Sequence, residues 1–172
     1  MKKIMETKRL IIRELSQEDI ADLSQILQDP EVVYAYEHTF TKKDVQEWLD
    51  RQVRRYQADG FGLWALIEKQ TGKMVGQAGL TWQECEGEKV LEIGYLLKKC
   101  YWHQGYATEA AEACKTYAFE KLGALKVYSV IKADNWSSMR VAERIGMKKE
   151  KEFTAYYYNG PMRHFLFGTE KD

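Results

Sequence analysis

Lys98-Lys99-Cys100-Tyr101-Trp102-His103-Gln104-Gly105-Tyr106-Ala107-Thr108-Glu109-Ala110 is the stretch that decides how this chain folds. It passes from a polar segment into an alanine-rich run, so a helix is expected over residues 107–122. A helix start has N–H groups with no intrahelical partner and carries the positive end of the helix dipole, and the two together bind anions without any particular side chain. Gly105 lacks a Cβ and Ala107 has the smallest one, which lets a phosphate approach the main chain. Residues 102–109 are therefore expected to form a loop entering a helix, with N–H groups gripping a phosphate-bearing ligand. A single glycine before a helix is equally the mark of an ordinary surface loop. Its flanks decide between the two.

Upstream, residues 62–68, 74–82 and 90–97 are rich in β-forming side chains. Thr71-Gly72-Lys73 and the polar residues 84–89 separate them as turns, which predicts an antiparallel meander. Earlier still, Leu10-Ile11-Ile12-Arg13 predicts a strand, and Ser16 with Asp19 opens a helix carrying Ile20, Leu23, Ile26 and Leu27 on one face. Asp29-Pro30 ends that helix. Thr41 with Asp44 opens a second, whose Val45, Trp48, Leu49, Gln52, Val53 and Tyr56 recur at helical spacing until Asp59-Gly60. Tyr34-Ala35-Tyr36-Glu37-His38 is then an aromatic loop between them. Downstream, residues 125–132 predict a strand, 137–145 a helix stopped by Gly146, and 147–158 with 163–169 a hairpin turning at Asn159-Gly160. The expected order is β-α-α-β-β-β-α-β-α-β-β, an α/β (α+β) fold.

A chain of 172 residues, 45% of them hydrophobic, suffices for one core, so residues 1–172 are expected to be a single domain. Lysine plus arginine equals aspartate plus glutamate at 26 each, leaving no global field for nucleic acid or an acidic membrane surface. Lys148, Lys149 and Lys151 alternate with Glu150 and Glu152, and that near-neutral patch argues against a nucleic-acid partner. No run approaches the ~20 apolar residues needed to span a bilayer, and the basic start is not followed by an apolar stretch, which points to the cytoplasm and to no membrane partner. Cys85, Cys100 and Cys114 show neither C-x-x-C pairing nor a nearby histidine, so neither a disulfide framework nor a metal site is expected.

Gln104-Gly105-Tyr106-Ala107, Glu92-Ile93-Gly94-Tyr95-Leu96-Leu97, Asn135-x-x-Ser138, Glu143-Arg144-Ile145-Gly146-Met147 and Arg9-Leu10-x-x-Arg13 together resemble the GNAT superfamily of acetyl-CoA-dependent N-acetyltransferases. The resemblance covers essentially the whole chain. It is closest to the ribosomal-protein N-terminal (RimJ/RimL-like) subgroup, in which Tyr-Trp-Gly-Lys-Gly-Tyr-Ala-Thr-Glu-Ala often stands where this chain has residues 101–110. Trp102 and His103 depart from the superfamily consensus, which should alter the loop's shape more than its grip.

The resemblance implies a GNAT fold, with a mixed, mostly antiparallel central sheet and helices on both faces. It also implies acetyl-CoA as cosubstrate, without a metal. Its pyrophosphate would lie at Trp102, His103, Gln104, Gly105, Tyr106, Ala107 and Thr108. Its pantetheine arm would pair with the strand at Leu96 and Leu97, near Asn135 and Ser138.

Acetyl transfer to an amine needs a deprotonated nucleophile, a stabilised oxyanion and a proton for the departing thiolate. Glu92, on the strand beside the thioester, is the expected base, the alternative being a strand glutamate facing solvent. A backbone N–H near Leu96 or Leu97, freed by a bulge, would meet the oxyanion. The tyrosine that protonates the thiolate in many GNAT enzymes is replaced here by Ala142, so Ser138 is the expected substitute acid. Simple helix capping accounts equally for Asn135 and Ser138.

His103 and His164 have no catalytic reading. The acceptor would enter between the first two helices and the last hairpin, with Tyr36, His38 and Trp82 as candidate contacts, alongside Trp64 and residues 156–158. Aromatics and Glu37 would hold a cationic amine, whether a peptide N-terminus, a polyamine or an aminoglycoside. The same aromatics are equally open to a homodimer contact. The expected activity is transfer of an acetyl group to a primary amine by direct attack in a ternary complex. An acetyl-CoA-binding module without efficient catalysis is the alternative.

Overall fold

The computed structural model of the chain describes residues 2–172. Eight strands form one sheet: β1 (Lys3–Glu6), β2 (Leu10–Glu14), β3 (Leu63–Glu68), β4 (Met74–Cys85), β5 (Glu88–Leu97), β6 (Lys126–Lys132), β7 (Lys148–Tyr157) and β8 (Gly160–Glu170). Their spatial order is β1-β2-β3-β4-β5-β6-β8-β7. Every pair is antiparallel except β5 with β6. Four helices, α1 (Ile20–Leu27), α2 (Lys42–Ala58), α3 (Tyr106–Glu120) and α4 (Trp136–Arg144), complete the architecture.

The period-two pattern of the strands sends alternate side chains to two separate cores. Leu10, Ile12, Trp64 and Leu66 pack with Ala110, Cys114 and Ala118 of α3 and Val141 of α4. Ala65 and Met74 face Leu23 and Ile26 of α1 and Val45, Trp48 and Leu49 of α2. The alanine-rich face of α3 lets that helix lie close on the sheet.

Three local expectations are corrected. The chain begins with β1, which pairs with β2 through Met5 and Ile12. Four residues are too few to register as a period, and the strand exists because β2 offers an edge. Residues 17–19 form a 3-10 turn and α1 proper starts at Ile20. There the buried Asp19 carboxylate accepts two hydrogen bonds from Arg13 at 2.9 Å each. The polar residues between β4 and β5 are mostly strand, and the turn shrinks to Glu86 and Gly87 at φ +49° and +82°.

The feature that positions the site is a wedge. β5 and β6 pair in parallel only at Glu92 and Tyr128, then part. Ser129 Oγ donates to the Ile93 carbonyl at 2.8 Å, and the Val130 N–H donates to the Glu92 carboxylate at 2.6 Å in place of a strand partner. On its other side β5 stays in register with β4 from Leu97 to Glu88 without a shift. The expected bulge at Leu96 and Leu97 is absent; the divergence of β6 is what frees that edge.

Candidate active site

The loop after β5 makes a 3-10 turn at Lys99–Tyr101 and enters α3 at Gly105, whose φ is +82°. The first intrahelical bond runs from the Glu109 N–H to the Gly105 carbonyl at 3.0 Å. Helix geometry thus leaves the N–H groups of Tyr106, Ala107 and Thr108 to face a ligand. Glycine is required by the positive φ more than by space. A Cβ there would meet Arg9 Nη2 at 3.4 Å, an ordinary contact, on the side of the protein.

Side chains from β2 and its approach hold this loop. Arg9 donates to the Gln104 carbonyl at 2.9 Å and to Glu109 Oε1 at 2.7 Å, and its guanidinium lies 4.1 Å above the Tyr106 ring. The Arg9 N–H and the Thr7 hydroxyl both bond to Glu109 Oε2, at 2.9 and 2.5 Å. Burial works to raise the Glu109 carboxyl, but the bonds from Thr7 and Arg9 outweigh it and hold the group below its usual range. The Tyr106 hydroxyl donates to Glu68. Trp102 fastens the loop to β5 through its indole N–H, 3.1 Å from the Leu97 carbonyl. Gln104 donates to the Cys100 carbonyl at 3.2 Å, and His103 is exposed at φ +63°.

A groove of about 320 Å³ runs along this loop. Leu96, Leu97, Trp102, His103, Gly105, Tyr106, Ala107, Thr108, Asn135 and Ser138 line it, together with Arg140 and Arg144. The two arginines stand one turn apart on α4, on the same face as Ser137 and Val141. That spacing was visible in the sequence and supplies positive charge beside the helix start. Open N–H groups, a glycine at positive φ and basic residues fit a polyanionic, extended ligand such as acetyl-CoA.

The wedge joins this groove to a second cavity of about 970 Å³, lined by Tyr36, Trp48, Gln77, Glu92, Leu96 and Tyr157 among others. Glu92, partly buried, lines this cavity and a smaller one of about 110 Å³ that shares Tyr95, Leu96, Asn135 and Ser138 with the groove. Burial pushes its carboxyl up to about 7, against the Val130 N–H and the charge of Arg55, which pull it down. Asn135 caps α4 by accepting the Ser138 N–H at 3.3 Å. The Ser138 hydroxyl meets the Tyr95 hydroxyl at 3.2 Å, and the latter donates to the Ser138 carbonyl at 2.8 Å. Tyr95 borders both cavities and the groove. Burial raises its phenol above the usual value, so the proton stays on at neutral pH. Ala142 is wholly buried, far from any role in proton transfer.

Three acceptor expectations fare differently from Tyr36, which lines the cavity and packs edge-on against Trp48 at 5.9 Å. Trp82 lies on the other face of the sheet, beside Phe61 at 6.3 Å, because Thr81 and Gln83 are its neighbours that face the cavity. Trp64 is buried on that same far side against Tyr117 of α3. His38 lines none of these spaces; it stacks on Tyr158 at 3.7 Å and meets the Asp44 carboxylate at 3.1 Å, tying the hairpin to the start of α2. Arg9 and Tyr95 entered the sequence reading only as members of motifs, without a role, and Gln77 not at all, because their partners are remote along the chain; Arg55 was missed because a single arginine on a helix carries no sign of the cavity it faces. Two of the three lysines of β7 are paired, Lys149 with Glu152 and Lys151 with Glu86, each at 3.1 Å. Among the described residues no group of three or more His, Cys, Asp or Glu side chains is placed to hold a metal ion, and no helix is long and apolar enough to cross a membrane.

Comparison with known proteins agrees with this geometry. An uncharacterized Bacillus subtilis protein, YkkB, is 36% identical over 157 residues, covering 91% of this chain and 90% of its own length. The uncharacterized N-acetyltransferase YnaD of the same species is 28% identical over 148 residues, 86% of this chain and 84% of its own. The solved structure of RimL, described as ribosomal L7/L12 alpha-N-protein acetyltransferase in complex with coenzyme A, superposes with a TM-score of 0.80 over 99% of both chains at 16% identity. Residues 9–148 match the family described as "Acetyltransferase (GNAT) domain", and the chain belongs to that family of acetyl-CoA-dependent N-acetyltransferases.

Proposed function

We propose that this chain acetylates a primary amine, on a protein N-terminus or a small molecule, by direct attack in a ternary complex. The supporting observation is the position of Glu92: one carboxyl, with its proton affinity raised to about 7, facing the cavity and the smaller space that links it to the groove. Acetyl-CoA supplies an activated acetyl group. As the new N–C bond forms and the C–S bond breaks, Glu92 takes a proton from the amine, directly or through a water. The open edge of β5 at Leu96 and Leu97 offers a backbone N–H to the oxyanion. Ser138 gives its proton to the thiolate and regains one from solvent in the groove, while the Tyr95 hydroxyl, which accepts from Ser138 and donates to the Ser138 carbonyl, holds that side chain in place. That pair supplies what Ala142 lacks and supports an active enzyme over a bare binding module.

Residues 101–110 support a place beside the RimJ/RimL-like subgroup, and a cytoplasmic setting goes with it. The test is release of free thiol from acetyl-CoA with a panel of amines, alongside calorimetric titration of acetyl-CoA. Tight binding of acetyl-CoA with no thiol release for any amine would overturn the proposal.

A further inference from the structure

The cavity beside Glu92 has a wall rich in unpaired donors. Arg51 and Arg55 stand one turn apart on α2 and both line it, half-buried. Arg55 donates to Gln52 Oε1 at 3.0 Å, and the Arg51 guanidinium lies 5.9 Å from the Trp48 ring. Among the described residues, no carboxylate lies within ion-pair distance of either. Like charges at this spacing repel, and half-buried arginines are ordinarily compensated. Burial, and then the charge of Arg51, hold the Arg55 guanidinium below its usual value.

Gln77 adds a second, independent signal. It is fully buried on β4 and lines the same cavity. Its Oε1 accepts the Trp48 indole N–H at 3.0 Å. An indole can only donate, so the amide orientation is fixed and its Nε2 faces away with two hydrogens to give. That nitrogen has no partner. A buried donor left unmet costs about 1–3 kcal/mol, which a bound oxygen would restore. The other charges lining the cavity are Glu92, the exposed Glu84 at the rim, and Glu86, which Lys151 already neutralises at 3.1 Å.

Resting on the amine-acetylation proposal above, we infer that the acceptor is an amine carrying a carboxylate: Arg55 and Arg51 bind the carboxylate, Gln77 Nε2 donates to an oxygen of the same molecule, and Glu92 takes the proton from its amine. Guanidinium groups suit carboxylates through paired, charge-assisted bonds, and they repel polyamines and aminoglycosides. The carboxylate is supplied by a free amino acid or by an acidic residue close to a peptide N-terminus.

Initial rates of thiol release at saturating acetyl-CoA test this with matched pairs: amino acids against their amides, peptides with Asp or Glu in the second or third position against the Asn or Gln forms, and spermidine and an aminoglycoside as cations. The carboxylate partner of at least one pair should show kcat/KM about ten-fold or more above its neutral twin and above the cations, the worth of one charge-assisted bond. Which pair responds identifies the source. At a pH well above 7, where Glu92 is ionised with or without the neighbouring charge, Arg55→Gln should raise KM for that substrate about ten-fold while kcat stays within about two-fold, and Arg55→Lys should recover part of the loss. A melting curve of each variant checks that it is folded. Faster turnover of neutral twins or cations overturns the inference and leaves amine acetylation standing, as does an unchanged KM in both Arg51→Gln and Arg55→Gln. Absence of thiol release with every amine overturns both.

Discussion

On the α3 side of the wedge the polar side chains are consumed by the fold. Thr7, Arg9 and Glu109 bond one another and the Gln104 carbonyl, Trp102 bonds the Leu97 carbonyl, and what this loop keeps for a ligand is backbone N–H, with Arg140 and Arg144 of α4 adding only charge beside it. On the α2 side the arrangement is inverted: Gln77 Nε2 is unmet and Arg51 and Arg55 lack carboxylate partners, so the ligand must meet side chains. The contrast explains what each side tolerates. A grip made of main chain survives departures such as Trp102 and His103, provided the loop keeps its shape. A grip made of side chains defines one ligand and shifts with single substitutions.

The largest effect is expected at the junction of the two. Glu92→Gln should lower turnover about 10²–10⁴-fold, the usual weight of a general base, while acetyl-CoA affinity stays near wild type. Glutamine can still accept the Val130 N–H, so loss of structure would not account for the result. The rate of the native enzyme should rise with pH through about 7, as Glu92 loses its proton. A flat profile with an active Glu92→Gln would remove that residue as base.

The backbone grip is tested next. Gly105→Val forces a β-branched residue to φ +82° and should weaken acetyl-CoA roughly thirty-fold, from about 2 kcal/mol of strain, with Gly105→Ala milder. Equal losses in the two would point to blocked phosphate access instead. Arg9→Ala touches no ligand, yet by releasing Gln104 and Glu109 it should weaken acetyl-CoA about ten-fold in calorimetry, since each lost bond is charge-assisted.

Glu92 also bears on stability. Its folded-state carboxyl sits near 7, above the unfolded value of 4.5, so its charge opposes folding as pH rises through that window, and its contribution is most favourable below 4.5. Glu92→Gln should therefore raise Tm at pH 8 by an amount equivalent to at most about 1–3 kcal/mol, and leave it unchanged at pH 4. The smallest effect is expected at Trp82. Trp82→Ala lies across the sheet from the cavity and should leave turnover within about two-fold; a larger loss would place the acceptor on the wrong face.

Much of the fold was legible because helix caps and period-two strands are local. The Thr41–Asp44 capping box and the apolar stripe from Val45 to Gln52 sit where the sequence placed them. So does the start of α3 at Gly105, within a residue. β1 was not legible, since four residues carry no period. Trp82 was placed on the acceptor side because β4 was legible as a strand but not in its phase: its first eight residues are buried on both faces, so no alternation marks the face that Thr81 and Gln83 share.

The sequence by itself determined most of the elements, the helix start at Gly105, and the strand bearing Glu92, because each is written in residues adjacent along the chain. Tertiary structure alone decided which groups were left over. Gln77 meets Trp48 from 29 positions away, Ser138 meets Tyr95 from 43, and Arg9 meets Glu109 from 100. Whether a buried donor is satisfied or waiting depends on such distant partners, and that balance, not the motif, sets what the enzyme can hold.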